Sequence, residues 1–110
     1  MMTTMDKLQA LAEKMTANPE KIASFTRNYQ FDLSAAGTYG VTFSEGHVTV
    51  EAAPAPNEDA CTLRMSEANL HKLLEGNWNP TMAYMTGKLK IDGEVRHALK
   101  LHEIVKHYTA

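Results

Sequence analysis

A single cysteine, Cys61, rules out an intramolecular disulfide, so packing and hydrogen bonds must hold the fold and a reducing compartment suits it. Charge of one sign is lacking as well. The 11 basic and 13 acidic residues give a formal net charge of -2 and are spread along the chain. They form no basic stripe for a phosphate backbone or an anionic bilayer, which argues against a nucleic-acid partner. Nowhere do about 18 apolar residues run together, and Asp6, Lys7, Glu13 and Lys14 interrupt any apolar signal region. The expectation is a soluble, cytoplasmic chain without integral membrane association. Its last residues, Tyr108-Thr109-Ala110, are not a peroxisomal address of the Ser-Lys-Leu type. Nucleophile-elbow, phosphate-loop and dinucleotide fingerprints are also missing, so no catalytic residue and no cofactor is expected.

What is present fits one domain over residues 1–110, large enough to remove about 65% of its unfolded surface from water. Met5, Leu8, Leu11, Ala12 and Met15 recur at helical spacing behind Thr4, predicting a helix over 5–16. Asn18-Pro19 starts a helical turn that reaches about Ala23. The period then switches to two. Tyr29, Phe31 and Leu33 alternate with polar residues, as do Tyr39, Val41 and Phe43, and after the Ser44–His47 turn so do Val48 and Val50. The unpatterned run 52–59, with two prolines, is a loop, and Cys61, Leu63 and Met65 form a fourth strand. Ser66 caps a helix carrying Leu70, Leu73 and Leu74, which Gly76 ends.

Asn79-Pro80 opens a very short helix that stops at Gly87, and Leu89 and Ile91 alternate with Lys88, Lys90 and Asp92 in a fifth strand over 88–92. In the last helix Val95, Ala98, Leu99, His102 and Val105 share one stripe, which Leu101, Ile104 and Tyr108 widen sideways. Strands come first and helices later, which reads as an α+β fold with about five helical pieces.

The segment from Gly76 to Gly93, with its Asn-Pro pair, short apolar helix and Gly87-Lys88-Leu89-Lys90-Ile91-Asp92-Gly93 strand, resembles the signature of the sterol carrier protein-2 family. Cys61-Thr62-Leu63-Arg64-Met65-Ser66 is similar to that family's strand leading into a helix. The resemblance implies a five-stranded mixed sheet in the order 3-2-1-4-5, covered by helices and enclosing an apolar tunnel for a lipid. The part of the chain that resembles the family's tunnel wall, together with the last helix, gives as candidate lining Met65, Leu73, Leu74, Trp78, Met82, Met85, Leu89, Ile91, Leu99 and His102.

Lys88 and Lys90 alternate away from Leu89 and Ile91, which predicts the wet face of a strand edge; near a tunnel mouth they become candidates for a lipid headgroup. Cys61, between inward-pointing neighbours, reads as an inert core thiol. No metal site is expected: His97, His102 and His107 are spaced five apart and splay around a helix. Glu67, His71 and Glu75 do share one helical face, and the ordinary reading is a solvated face with i,i+4 pairs. The leading functional reading is a non-enzymatic carrier of one fatty acyl, sterol or isoprenoid ligand. The alternative is a protein-interaction or dimerisation module, such as a homodimer, that uses the same apolar groove. A thiol enzyme built on Cys61 and a histidine has no supporting spacing.

Overall fold

A computed structural model describes residues 3–55 and 59–109. Helix α1 spans Thr4–Ala17. Its N-terminus is a reciprocal capping box in which Thr3 Oγ1 accepts from the Asp6 amide and the Thr3 amide donates to Asp6, both at 3.1 Å. The cap is therefore Thr3 and not Thr4, because only Thr3 has an acid three residues on. Thr4 becomes the first helical residue and is buried with Leu8, Ala12 and Met15.

A turn of 3₁₀ helix at Pro19–Lys21 leads into β1, Arg27–Asp32. Strands β2 (Thr38–Ser44) and β3 (His47–Ala52) form a hairpin whose two loop residues, Glu45 and Gly46, both have positive φ. That combination matches the right-handed twist of paired strands. After the loop comes β4, Cys61–Arg64. Of the expected loop at 52–59, residues 56–58 lie outside the described residues. Pro54 rests on Gly40, where any Cβ would sit 3.1 Å from the proline ring, so this loop lies across the outer face of the sheet.

Helix α2, Glu67–Leu74, is capped by Ser66 Oγ accepting from the Asn69 amide at 3.1 Å. It closes with Gly76 at φ 76° and an Asn77 amide donating to the Lys72 carbonyl, a Schellman ending that a β-carbon would strain. Helix α3, Pro80–Met85, uses Asn79 Oδ1 as its cap for the Met82 amide. Strand β5 runs only from Lys90 to Asp92. It starts two residues later than the alternation suggests because the Lys88 and Leu89 amides donate to the Ala83 carbonyl at the end of α3. Helix α4, Val95–Thr109, ends the described chain.

The sheet order is β3-β2-β1-β4-β5, with β1 and β4 parallel and every other neighbouring pair antiparallel. The fold is thus α+β, with four α-helices and two 3₁₀ turns among the described residues; the four helices and the Pro19–Lys21 turn are the expected helical pieces, and the Ser34–Ala36 turn is additional. One sheet face is apolar: Tyr29, Phe31, Val41, Phe43, Cys61 and Leu63 point from it into the core. Helices α1, α2 and α4 close over that face.

The last helix is turned relative to its expected stripe. Ala98, Leu101, Ile104, Val105 and Tyr108 are buried, whereas Val95 and Leu99 are 36% and 40% exposed. A helix can turn only one arc to the core, and the arc with the largest apolar side chains wins. Two hydrogen bonds pin this rotation: the Tyr108 hydroxyl donates to the Asn18 carbonyl, and the Tyr29 hydroxyl donates to the His97 carbonyl at 2.7 Å.

Candidate functional site

Beneath α1 the core is not completely filled. A cavity of about 20 Å³ lies among Leu8 and Met15 of α1, Phe31 and Val41 of the sheet, Leu73 and Leu74 of α2, and Leu101 and Val105 of α4. Its walls are aliphatic, thioether or aromatic throughout. Such a space holds about one water by volume, yet it offers a water no polar partner, so it is a dry defect in the packing.

The wall formed by α1 is fastened to α2 by polar contacts at its N-terminal end. Thr4, only 3% exposed, has its hydroxyl 2.5 Å from Glu67 Oε2 and 2.7 Å from His71 Nε2. Lys7 Nζ lies 3.3 Å from His71 Nδ1 and 3.8 Å from Glu75. One proton arrangement satisfies every partner. Lys7 donates to Nδ1, the Nε2 hydrogen of neutral His71 donates to Thr4, and the Thr4 hydroxyl donates to Glu67. The Glu67, His71 and Glu75 face is therefore not simply solvated: it binds α1. Among the described residues no group of three histidine, cysteine or acidic side chains is arranged to hold a metal ion.

Of the expected wall residues, Leu73 and Leu74 line the cavity. Met65 and Leu89 are buried in the surrounding core, and Trp78 and Ile91 pack against it while partly accessible. His102 is half-buried on α4, its Nδ1 enclosed without a hydrogen-bond partner among the described residues. Its enclosure holds the imidazole pKa below 6.5, and Lys106 lowers it further. Met82 and Met85 lie on the outer surface of α3, 62% and 80% exposed, and Leu99 is exposed on α4. Cys61 is buried, with Sγ 3.9 Å from the Glu94 carbonyl. Burial pushes its thiol pKa up, Arg27 pulls it down, and Asp92 raises it. The result is the opposite of an activated nucleophile.

Lys88 and Lys90 are brought together at the rim of a second space, an open cleft of about 610 Å³. The turn after β1, the β4–α2 junction and the α3–β5 junction enclose it. Sequence reasoning located the two lysines and Met65 and missed the rest. The 3₁₀ turn Ser34–Ala36 and Arg64 reach this cleft only through the parallel pairing of β1 with β4. Likewise the spacing of Glu67 and His71 exposed one half of the α1–α2 contact, while Thr4, more than sixty positions away, carried no signal.

Among the described residues no helix is long and apolar enough to cross a membrane. The chain matches the SCP-2 sterol transfer family over residues 5–106. Rat hydroxysteroid dehydrogenase-like protein 2 is 32% identical over 97 residues, which span 86% of this chain and 18% of that protein. The chain thus spans about a fifth of the length of the curated relatives it matches. Among solved structures, sterol carrier protein domain 2 of Helicoverpa armigera superposes with a TM-score of 0.69 at 24% identity, over 96% of this chain and 88% of that one. Sterol carrier protein-2 of Aedes aegypti, solved with palmitate, gives 0.70 at 16% identity over 96% of each chain. With the sheet order, the Asn79-Pro80 helix and a match over nearly the whole sequence in agreement, the chain belongs to the SCP-2 sterol transfer family.

Proposed function

We propose that residues 1–110 act as one non-enzymatic lipid carrier that takes the chain of a single amphiphile between α1, the sheet and α4. The observation that carries this reading is the dry cavity whose lining is apolar on every side. The family and its palmitate-bound relative support it. Of the residues assigned to the tunnel wall, Met65, Leu73, Leu74, Trp78, Leu89, Ile91 and His102 remain part of this proposal, whereas Met82, Met85 and Leu99 face outward and join the wall only if α3 and α4 turn inward around a ligand.

At about 20 Å³ the cavity cannot admit a C16 chain as it stands, so α1 or α4 must move outward when a ligand enters. Burying such a chain gains about 13 kcal/mol gross, and association costs about 4–15 kcal/mol before the walls have opened. Moderate affinity follows, which suits exchange better than storage. The cytoplasm is the proposed setting, since the lone thiol is buried and unpaired with another.

Native mass spectrometry of the purified protein, followed by extraction and mass analysis of bound lipid, tests the reading. One lipid per chain is expected, and palmitate added to delipidated protein should change Trp78 emission saturably. A chain that carries no lipid and takes up neither fatty acid nor sterol would refute it. The exposed methionines of α3 favour one competing reading, self-association through that surface. A stable lipid-free dimer in the same spectrum would select it.

A further inference from the structure

We infer that the outward face shared by α3 and α4 docks on the surface of a phospholipid bilayer, with Met82 and Met85 entering the headgroup layer. This goes beyond the carrier reading and is testable with no ligand in the cavity.

The large apolar side chains left exposed among the described residues all belong to these two helices: Met82, Tyr84 and Met85 on α3, Val95 and Leu99 on α4. Met82 and Met85, three positions apart, share the side of α3 opposite its buried Pro80 and Ala83. Val95 and Leu99, four apart, share one flank of α4. The other flank is taken, because Lys100 and His107 face Lys21 of the first 3₁₀ turn across an open hollow. Helix α3 also packs against α4, so its methionine ridge stands beside Val95 and Leu99. On that same flank His102 is half-buried with its Nδ1 enclosed, as a covering helix requires.

The make-up of the face selects a lipid surface over a second protein. Its five side chains offer on the order of 500 Å², the size of patch that carries function on a small protein and less than the roughly 800 Å² per partner that a stable complex buries. Thioethers adapt to a fluid surface, and Tyr84 suits a boundary between apolar and wet layers. Residues 76–87 carry no charge, so α3 enters the layer without desolvating one, and Lys88 just beyond has a stem long enough to keep its ammonium in water. The helix also satisfies its own ends, which a layer poor in water demands. Asn79 Oδ1 accepts from the Met82 amide; the Thr86 amide and hydroxyl close on the Met82 carbonyl, the Lys88 and Leu89 amides on that of Ala83, and the Gly87 amide on that of Tyr84. With a net charge of only -2, apolar contact and not charge should supply the binding.

The test is cosedimentation of the purified protein with sucrose-loaded phosphatidylcholine vesicles, for wild type and a Met82→Gln/Met85→Gln variant, at low and moderate salt. Wild type should partition onto the vesicles equally at both salts, and the variant about tenfold more weakly. Circular dichroism and the melting temperature should not change, since both side chains are exposed. Trp78, the single tryptophan, lies just before α3, so phosphatidylcholine brominated near the headgroup end of its acyl chains should quench its emission in wild type and not in the variant. Wild type that stays in the supernatant, a variant that sediments equally well, or bound protein with unquenched Trp78 would overturn the docking face, whether or not the chain carries a lipid. A stable dimer in analytical ultracentrifugation that the same substitutions dissolve would assign the face to a second copy and overturn the proposal as well.

Discussion

The cavity beneath α1 and the cleft beside α3 differ sharply in volume and polarity. The first is about 20 Å³ and lined throughout by apolar side chains; the second is about 610 Å³, open and lined by Arg64, Glu67, Lys88 and Lys90 beside apolar residues. Under the proposed carrier reading, a chain entering the cavity would have to displace packed side chains, whereas the cleft is open without any such movement. On that reading, affinity for chain length should be limited by the opening of the helical layer.

The largest effect expected from probing this contrast comes from placing one carboxylate in each region. Leu73→Asp puts an unpaired charge into the dry wall and should destabilise the protein by about 4 kcal/mol or more, a large share of a typical domain's stability. Met82→Asp alters an exposed position on α3 and should shift stability by no more than about 0.5 kcal/mol. Urea unfolding of the two variants checks the pair. Equal losses would mean that α3 is packed as tightly as the cavity wall.

An intermediate effect is expected at the contact that holds α1 over the cavity. Thr4→Val keeps the shape and removes the hydroxyl shared by Glu67 and His71, which should cost about 1–2 kcal/mol. Because α1 supplies part of the cavity wall, the same variant should bind fatty acid with faster on- and off-rates, measured by stopped-flow Trp78 emission. Unchanged stability would show that the contact is dispensable.

The smallest effect is a dependence on pH. His102 has a folded-state pKa lowered from 6.5 by burial and by Lys106, so in the window just below 6.5 the unfolded chain binds a proton that the folded chain refuses. Stability should fall as pH drops through that window and recover as pH rises above it. His102→Gln should flatten this part of the profile, and thermal melts across the window in both proteins measure the difference. A wild-type slope of the opposite sign would place the imidazole in surroundings that favour its charge.

Much of this architecture is legible along the chain because it is set by neighbours in sequence. The Ser66 and Asn79 caps and the positive-φ stops at Gly76 and Gly87 arise from contacts within a few residues, and the period-two strands at Tyr29–Phe31 and Val41–Phe43 show in local alternation although their pairing joins more distant residues. The resemblance carried by Gly76–Gly93 supplied the sheet order, which spacing alone leaves open. Lys88 and Lys90 were legible as a wet pair for the same local reason, their alternation with Leu89.

Tertiary structure decided what depends on distant partners. It chose the Leu101, Ile104 and Tyr108 arc of α4 over the Val95 and Leu99 side, since Tyr108 reaches Asn18 and the larger side chains gain more by burial. It turned the Glu67 and His71 face from a solvated stripe into the attachment of α1, through a threonine at the opposite end of the sequence. Only the parallel pairing of β1 with β4 set Leu33 beside Met65 and so gave the two lysines a cleft with an apolar floor. Local hydrogen-bond and dihedral preferences made the elements and their caps. The faces they present to one another were settled by competition for burial among residues far apart in the chain, which no local pattern records.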